Sequence, residues 1–240
     1  MPFPATPAGL GHATATANLP ADLVAAILAS LQNGGFAKIP SFDSHQLMPL
    51  CCALGVPRGD IRDPRKVRAL QPQTPAEARI NTLSSRYGTG PFPFHTETAY
   101  WFSPAKFLVL HCKNPGAGLR PTLLADTHSW QLGGQERSLL ENAGWKIKAR
   151  KPFLSSIFNT KAKRLRVRFD SECMAPFTND ANLAQTLIAQ QLGRCNTITI
   201  HWSADDLLVI DNERMLHARG PTSIPDPDRT LHRVLISEAA

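Results

Sequence analysis

Apolar residues recur along this chain in two rhythms. Leu23, Val24, Ile27, Leu28 and Leu31 fall at helical spacing, with Pro20 near the start and Gly34-Gly35 as the stop, which predicts a helix over 21–31. Asp43 or Ser44 can cap a second helix that runs to Ala53 and ends at Gly55. Helical patterns return over 126–142, with Asp126 as the cap and Gly133-Gly134 weakening the middle, and over 182–192. The second rhythm belongs to strands. Short apolar runs at 36–39, 67–71, 105–112, 122–125, 197–202, 207–211 and 230–236 read as strands. Residues 145–150 and 164–169 alternate basic and apolar side chains, the period of a half-buried strand. Residues 57–64 are charged and turn-rich.

Many short strands with early or inserted helices predict a mainly β fold with flanking helices, a jelly roll or double-stranded β-helix. The 240 residues suit one β domain, expected over 21–240, and 20 prolines favour loops and short strands over long helices. Residues 1–20, rich in Ala, Thr and Pro, read as a flexible arm without the basic start and apolar run of a signal peptide. No stretch approaches the roughly 20 apolar residues of a membrane helix. Five cysteines at irregular spacing, with no CxxC pair, suit reduced thiols and a cytoplasmic location.

Charge is concentrated in one place. Between Lys146 and Arg168 stand nine Lys or Arg and no Asp or Glu, so of the net +7 this segment carries +9 and the rest −2. A solvated outer sheet face is the plain reading, with residues 152–163 as a lid-like loop between the two basic strands. The sharper reading is a docking surface for an anionic partner, such as an acidic carrier protein bearing the substrate. No nucleic-acid recognition motif accompanies these cations, and aromatics are not interleaved with them.

The chemistry lies elsewhere. His95-Thr96-Glu97 places an imidazole and a carboxylate on one side of an extended segment, and His217 follows far downstream, after the apolar strand 207–211. Two histidines and one carboxylate form the facial set that holds Fe(II) by three positions and leaves the others open. Arg229 and Arg233, four residues apart on a strand, would share a face and can each grip a carboxylate. Asp211 and Asn212 are placed to fix the loop presenting His217, Asp211 as an acceptor behind the metal ligand. His111, His128, His201 and His232 fit no ligand spacing.

Three stretches carry a family resemblance: Phe92-Pro93-Phe94-His95-Thr96-Glu97, then Trp202 through Asp211-Asn212 to His217-Ala218-Arg219, then Arg229-Thr230-Leu231-His232-Arg233. In this order the chain resembles the taurine dioxygenase/clavaminate synthase-like family of Fe(II)- and 2-oxoglutarate-dependent oxygenases. The resemblance implies a double-stranded β-helix with His95, Glu97 and His217 as iron ligands, and O2 and 2-oxoglutarate as cosubstrates. It assigns Arg229 to the distal carboxylate of 2-oxoglutarate, Thr122 to the same molecule and Arg233 to the cosubstrate or substrate region. The chain departs from the family in having Glu97 where Asp is commoner, and Leu119-Arg120 where a glycine pair precedes the threonine; Arg120 would add a cation near the pocket mouth. Because halogenases of this kind replace the carboxylate ligand, Glu97 speaks for hydroxylation, desaturation or cyclisation. The surplus of Arg120 and Arg233 near the pocket suggests a small polar, carboxylate-bearing substrate such as an amino acid or a derivative. Two other readings use the same residues: a metal-dependent isomerase or lyase without 2-oxoglutarate, and a non-catalytic jelly-roll binding protein.

Overall fold

The computed structural model describes residues 19–60, 63–80, 82–161 and 164–238, so the expected arm over 1–20 lies outside them apart from its last two residues. The first half contains α1 (Ala21–Gly34), β1 (Phe36–Ile39), α2 (Leu47–Leu54), β2 (Val56–Arg58), β3 (Val67–Leu70), α3 (Leu83–Tyr87), β4 (Phe92–His95), β5 (Phe107–Asn114) and β6 (Thr122–Asp126). The second contains α4 (Gly134–Asn142), β7 (Trp145–Ile147), β8 (Phe153–Ser155), β9 (Phe158–Lys161), β10 (Arg164–Val167), β11 (Met174–Pro176), α5 (Asn179–Arg194), β12 (Ile198–Ile200), β13 (Leu207–Asp211), β14 (Met215–Arg219) and β15 (Thr230–Ser237).

Two antiparallel sheets form the frame. The larger runs β1-β13-β5-β15-β2, with β3 also on β15, and the smaller runs β12-β6-β14-β4. Leu108, Leu110, Leu208, Ile210, Leu231 and Leu235 of the larger sheet meet Leu124, Ile200, Trp202 and Met215 from the smaller-sheet side. On the other face of the larger sheet, Phe107, Val109, Leu207, Val209, Val234 and Ile236 pack on Ile27 and Leu31 of α1 and on Leu47, Leu50, Cys51 and Leu54 of α2. Burial on both faces explains why β5 and β13 read as unbroken apolar runs rather than alternating ones. The smaller sheet turns Ala125 and Leu216 towards a third cluster, with Trp145, Ile147, Phe158, Leu187 and Ile188. The mainly β, jelly-roll expectation therefore holds.

Local departures have local causes. The turn-rich 57–64 region begins with β2, whose Val56–Arg58 pairs with the end of β15. The expected helix over 126–142 is two pieces: Asp126 caps a single short turn at Thr127–Ser129, and α4 starts afresh at Gly134. Glu136 closes this second start by accepting from Gly133 N at 2.8 Å, so the glycines divide the helix rather than merely weakening it. β14 is buried along its whole length between β6 and β4, which brings His217 and Arg219 inside and leaves no alternation to read.

The basic segment is not all an outer face. The β9–β10 hairpin lies over the β13–β14 turn: Arg164 reaches the buried Asp211, Arg166 pairs with Glu213 at 3.0 Å and with Glu238 at 3.3 Å, and Val167 N donates to Glu213 O at 2.8 Å. Lys146, Lys148, Arg150 and Lys151 stay exposed. No helix among the described residues is long and apolar enough to cross a membrane.

Gly35 ends α1 in the left-handed region at φ 77°, donating to Leu31 O, and a β-carbon there would sit 2.5 Å from Met215 Sδ. Gly35→Ala should therefore destabilise the protein by about 1–3 kcal/mol, read as a lower urea midpoint with an unchanged m value.

Candidate metal centre

Strand pairing assembles the two histidines. β14 lies beside β4 with His217 directly opposite His95, and their ring centroids are 4.2 Å apart. Glu97 does not continue the strand. The chain turns over 97–100, with Thr98 at φ 57° donating to Glu97 O at 2.6 Å and accepting from Ala105 N at 3.0 Å. The turn brings Glu97 Oε2 to 3.7 Å from His217 Nε2, and one donor atom from each of His95, Glu97 and His217 lies within 4.8 Å of the others. Asn212, 0 % exposed, holds this turn in place. Its Oδ1 accepts from Glu97 N at 2.8 Å, and its Nδ2 donates to Glu97 O at 3.0 Å and Ala105 O at 2.7 Å.

Protonation states suit a cation. Burial raises the Glu97 carboxyl, but Arg233, His217 and His95 outweigh it and hold the group well below the usual carboxylate range; Arg233 Nη1 donates to Oε1 at 2.7 Å. Burial, and then His95, lower His217 to about 4, so near neutral pH it is an uncharged ring. His95 Nδ1 lies 3.1 Å from Pro93 O, a bond that needs the proton on Nδ1 and so turns Nε2 to the metal side as the candidate ligating atom. His217 Nδ1 has no partner among the described residues. Asp211 does not serve it, because Arg164 and Glu213 N engage that carboxylate. Two imidazoles and one carboxylate, gathered at this spacing, fit Fe(II).

The arginines separate. Arg229 stands just before β15, across a register shift between Thr230 and Leu231, and the two side chains take different partners. Arg233 reaches Glu97. Buried Arg229 has Asp226, Cys112 and Arg120 as charged or ionisable neighbours; burial lowers it to about 10, and its Nε has no partner among the described residues. Thr122 lies opposite Arg219 in the β6–β14 pair, and its hydroxyl accepts from Trp202 Nε1 at 3.1 Å.

Arg120 is not a cation at a pocket mouth: it is buried, donating to Gly220 O at 2.8 Å and Thr89 O at 2.7 Å. Arg219 donates to Gly88 O at 2.5 Å and Gly90 O at 2.8 Å and stacks on Phe92 at 4.2 Å. Together these two fasten the 88–90 loop that leads into His95. Only their sequence neighbours, glycines and a candidate ligand histidine, hinted at that role. Around Arg229 the buried guanidinium groups outnumber the one neighbouring carboxylate, Asp226, and this excess of positive charge fits the distal carboxylate of 2-oxoglutarate.

No protein-family model matches the sequence, and no curated protein does so either. Solved structures do match. An asparagine oxygenase in complex with Fe(II), 3-hydroxyasparagine and succinate superposes with a TM-score of 0.74 at 17% identity, covering 92% of this chain and 80% of its own. The non-heme iron oxygenase OrfP in complex with Fe and α-ketoglutaric acid gives 0.71 at 18% identity, covering 90% and 80%. PvcB, an Fe, α-ketoglutarate-dependent oxygenase from an isonitrile synthetic pathway, gives 0.66 at 19%, covering 89% and 79%. The chain has the fold of these oxygenases.

Proposed function

We propose that this protein is an Fe(II)- and 2-oxoglutarate-dependent oxygenase acting on an unactivated C–H bond of a small polar substrate, an amino acid or a derivative of one. The observation that carries the reading is the convergence of His95, Glu97 and His217 within 4.8 Å, in protonation states ready for a divalent cation. In this reading these three residues hold the iron, Arg229 binds the distal carboxylate of 2-oxoglutarate, and Thr122, whose oxygen is already engaged by Trp202, donates its own hydroxyl proton to it. When bound, iron and 2-oxoglutarate together supply an O2-derived oxidant able to take hydrogen from carbon, with succinate and carbon dioxide as the cosubstrate's products.

The protein's own part is placement. Asn212 fixes the Glu97 turn, and Arg233 holds the Glu97 oxygen that faces it, so the carboxylate keeps one orientation. Buried walls around His95 and His217 limit water. An amino-acid-sized substrate is supported by the fold's company: the asparagine oxygenase and OrfP structures hold hydroxylated asparagine and arginine. The exposed Lys146, Lys148, Arg150 and Lys151 favour, as a second reading of substrate delivery, an acidic carrier presenting a tethered amino acid. Succinate release measured with free and carrier-bound amino acids separates the two.

Anaerobic addition of Fe(II) and 2-oxoglutarate should produce the weak visible charge-transfer band of the chelate; iron binding without that band would refute the cosubstrate assignment and leave the isomerase or lyase reading. Glu97→Ala should abolish succinate formation, and Arg229→Gln should raise the Kd for 2-oxoglutarate about 10- to 100-fold while iron still binds. Asn212→Ala should weaken iron binding about 10- to 100-fold by releasing the Glu97 turn, measured by competition with a chelator.

The pH dependence has a definite sign. His217 is neutral in the folded, metal-free protein down to about 4 but titrates near 6.5 when unfolded, so its contribution is complete above 6.5 and is lost as pH falls towards about 4. Glu97, held low, adds a loss that begins below its ordinary 4.5. Urea midpoints of the metal-free protein should fall over this range, with a shallower slope in His217→Asn.

A further inference from the structure

Arg168 follows β10 and is only 6% exposed. Its Nη2 donates to Phe102 O at 2.7 Å, while Nε and Nη1 have no hydrogen-bond partner among the described residues. The nearby acid is engaged elsewhere: Asp170 accepts from Glu172 N at 2.8 Å and stands beside the Cys173 thiol, whose pKa it helps to raise. The guanidinium lies 5.3 Å from the centre of the Phe153 ring, and Phe153 in turn meets Phe102, which is 85% exposed. Arg168 is thus a buried cation beneath two aromatic rings, with the N–H groups of two nitrogens, Nε and Nη1, unbonded among the described residues. Such a group carries a large desolvation cost, which one carbonyl and one aromatic face offset only in part, with no carboxylate bonded to it among the described residues. The half-buried Arg166, Arg214 and Arg233 face carboxylates, the buried Arg120 and Arg219 each bind two carbonyls, and the buried Arg229 has Asp226 beside it.

Its place in the chain ties it to the metal centre. Phe169, the next residue, accepts from Thr96 N at 2.7 Å and donates to Thr96 Oγ1 at 3.0 Å, and Thr96 stands between His95 and Glu97. Bond lengths along that path keep the Arg168 and Glu97 α-carbons within about 14 Å of each other. A substrate of amino-acid size, with the two side chains, spans such a distance.

We propose that Arg168 is the specificity-determining residue of the substrate site and binds an oxyanion at the substrate's end remote from the reacting C–H bond. The substrate is then an amino acid, or a close relative, whose side chain ends in a carboxylate or phosphate. Arg229 is committed to the cosubstrate and Arg233 to Glu97, which leaves Arg168 as the cation with charge and donors to give. An oxyanion would satisfy the unbonded N–H groups and repay the burial of the charge, and Phe102 and Phe153 would shield the pair from water. This assignment rests on reading the centre as a 2-oxoglutarate oxygenase.

The test uses the protein loaded with Fe(II) and 2-oxoglutarate without O2. L-Aspartate, L-glutamate, O-phospho-L-serine, L-asparagine, L-glutamine and L-arginine are titrated in turn, and the change each makes in the visible band reports binding independently of turnover. One acidic compound should bind at least about tenfold more tightly than its neutral or cationic counterparts, and which acid does so separates carboxylate from phosphate. Arg168→Gln, which keeps a donor for Phe102 O, should weaken that binding about 10- to 100-fold and leave the affinity for 2-oxoglutarate unchanged. Arg168→Glu should turn the preference towards L-arginine. Acids that bind no better than amides in the wild-type protein would overturn the proposal, whether or not a variant folds, and so would a uniform loss across all six compounds in Arg168→Gln. If no band forms in the wild-type protein, the cosubstrate reading has failed instead; thermal shifts of the metal-free protein with the same six compounds then decide on Arg168 alone.

Discussion

Of the three candidate ligands, Glu97 is the one that the sheets do not position, because it stands in a turn past the end of β4. Its place depends on Asn212, which bonds to both the N–H and the carbonyl of Glu97 and to the carbonyl of Ala105. A side-chain amide is suited to this because it offers an acceptor and two donors in one plane. Completely buried, it has no water to compete for those bonds, so removing it would strand Glu97 N and Ala105 O and leave Glu97 O with the Thr98 hydroxyl alone. The turn that carries Asn212 also leads into β14 and His217. One residue therefore sets the spacing between a carboxylate and a histidine that are far apart in sequence.

A second constraint is charge. The centre gathers Arg120, Arg219 and Arg229 in buried positions with few carboxylates near them, and the protein makes this tolerable in two ways. Backbone carbonyls of Thr89, Gly88, Gly90 and Gly220 take up the N–H groups of Arg120 and Arg219, which at the same time fastens the approach to His95. Single Nε donors stay unbonded on Arg120 and Arg229, and Arg168 keeps both Nε and Nη1 unbonded among the described residues. Buried donors without partners are expensive in a structure otherwise well satisfied, and they recur where a ligand supplies the missing acceptor.

Much of the fold was legible because its cause is local. The helical spacing at 21–31 and the apolar runs of β5 and β13 follow from burying one stripe or two faces, and both signals survive in the sequence. Strands such as β14 were hidden because every residue there is buried, polar ones included. The basic segment misled for a related reason. A run of arginines looks solvated when its partners are distant, and the partners of Arg164 and Arg166 are Asp211, Glu213 and Glu238, brought in by the β9–β10 hairpin.

The order of residue types alone singled out the candidate donor set: a histidine and a carboxylate two apart, a later histidine and two trailing arginines. Tertiary structure decided which of the remaining polar residues serve that set. Asn212 rather than Asp211 supports a candidate ligand, Arg233 reaches Glu97, Arg229 stays with Asp226 behind a bulge, and Arg120 holds backbone instead of facing a pocket. Those outcomes turn on register and burial. A shift of one residue in a strand exchanges its two faces, and an arginine's role depends on whether an acid, a carbonyl or nothing lies within about 3 Å of its N–H groups. Neither quantity is written in the local sequence.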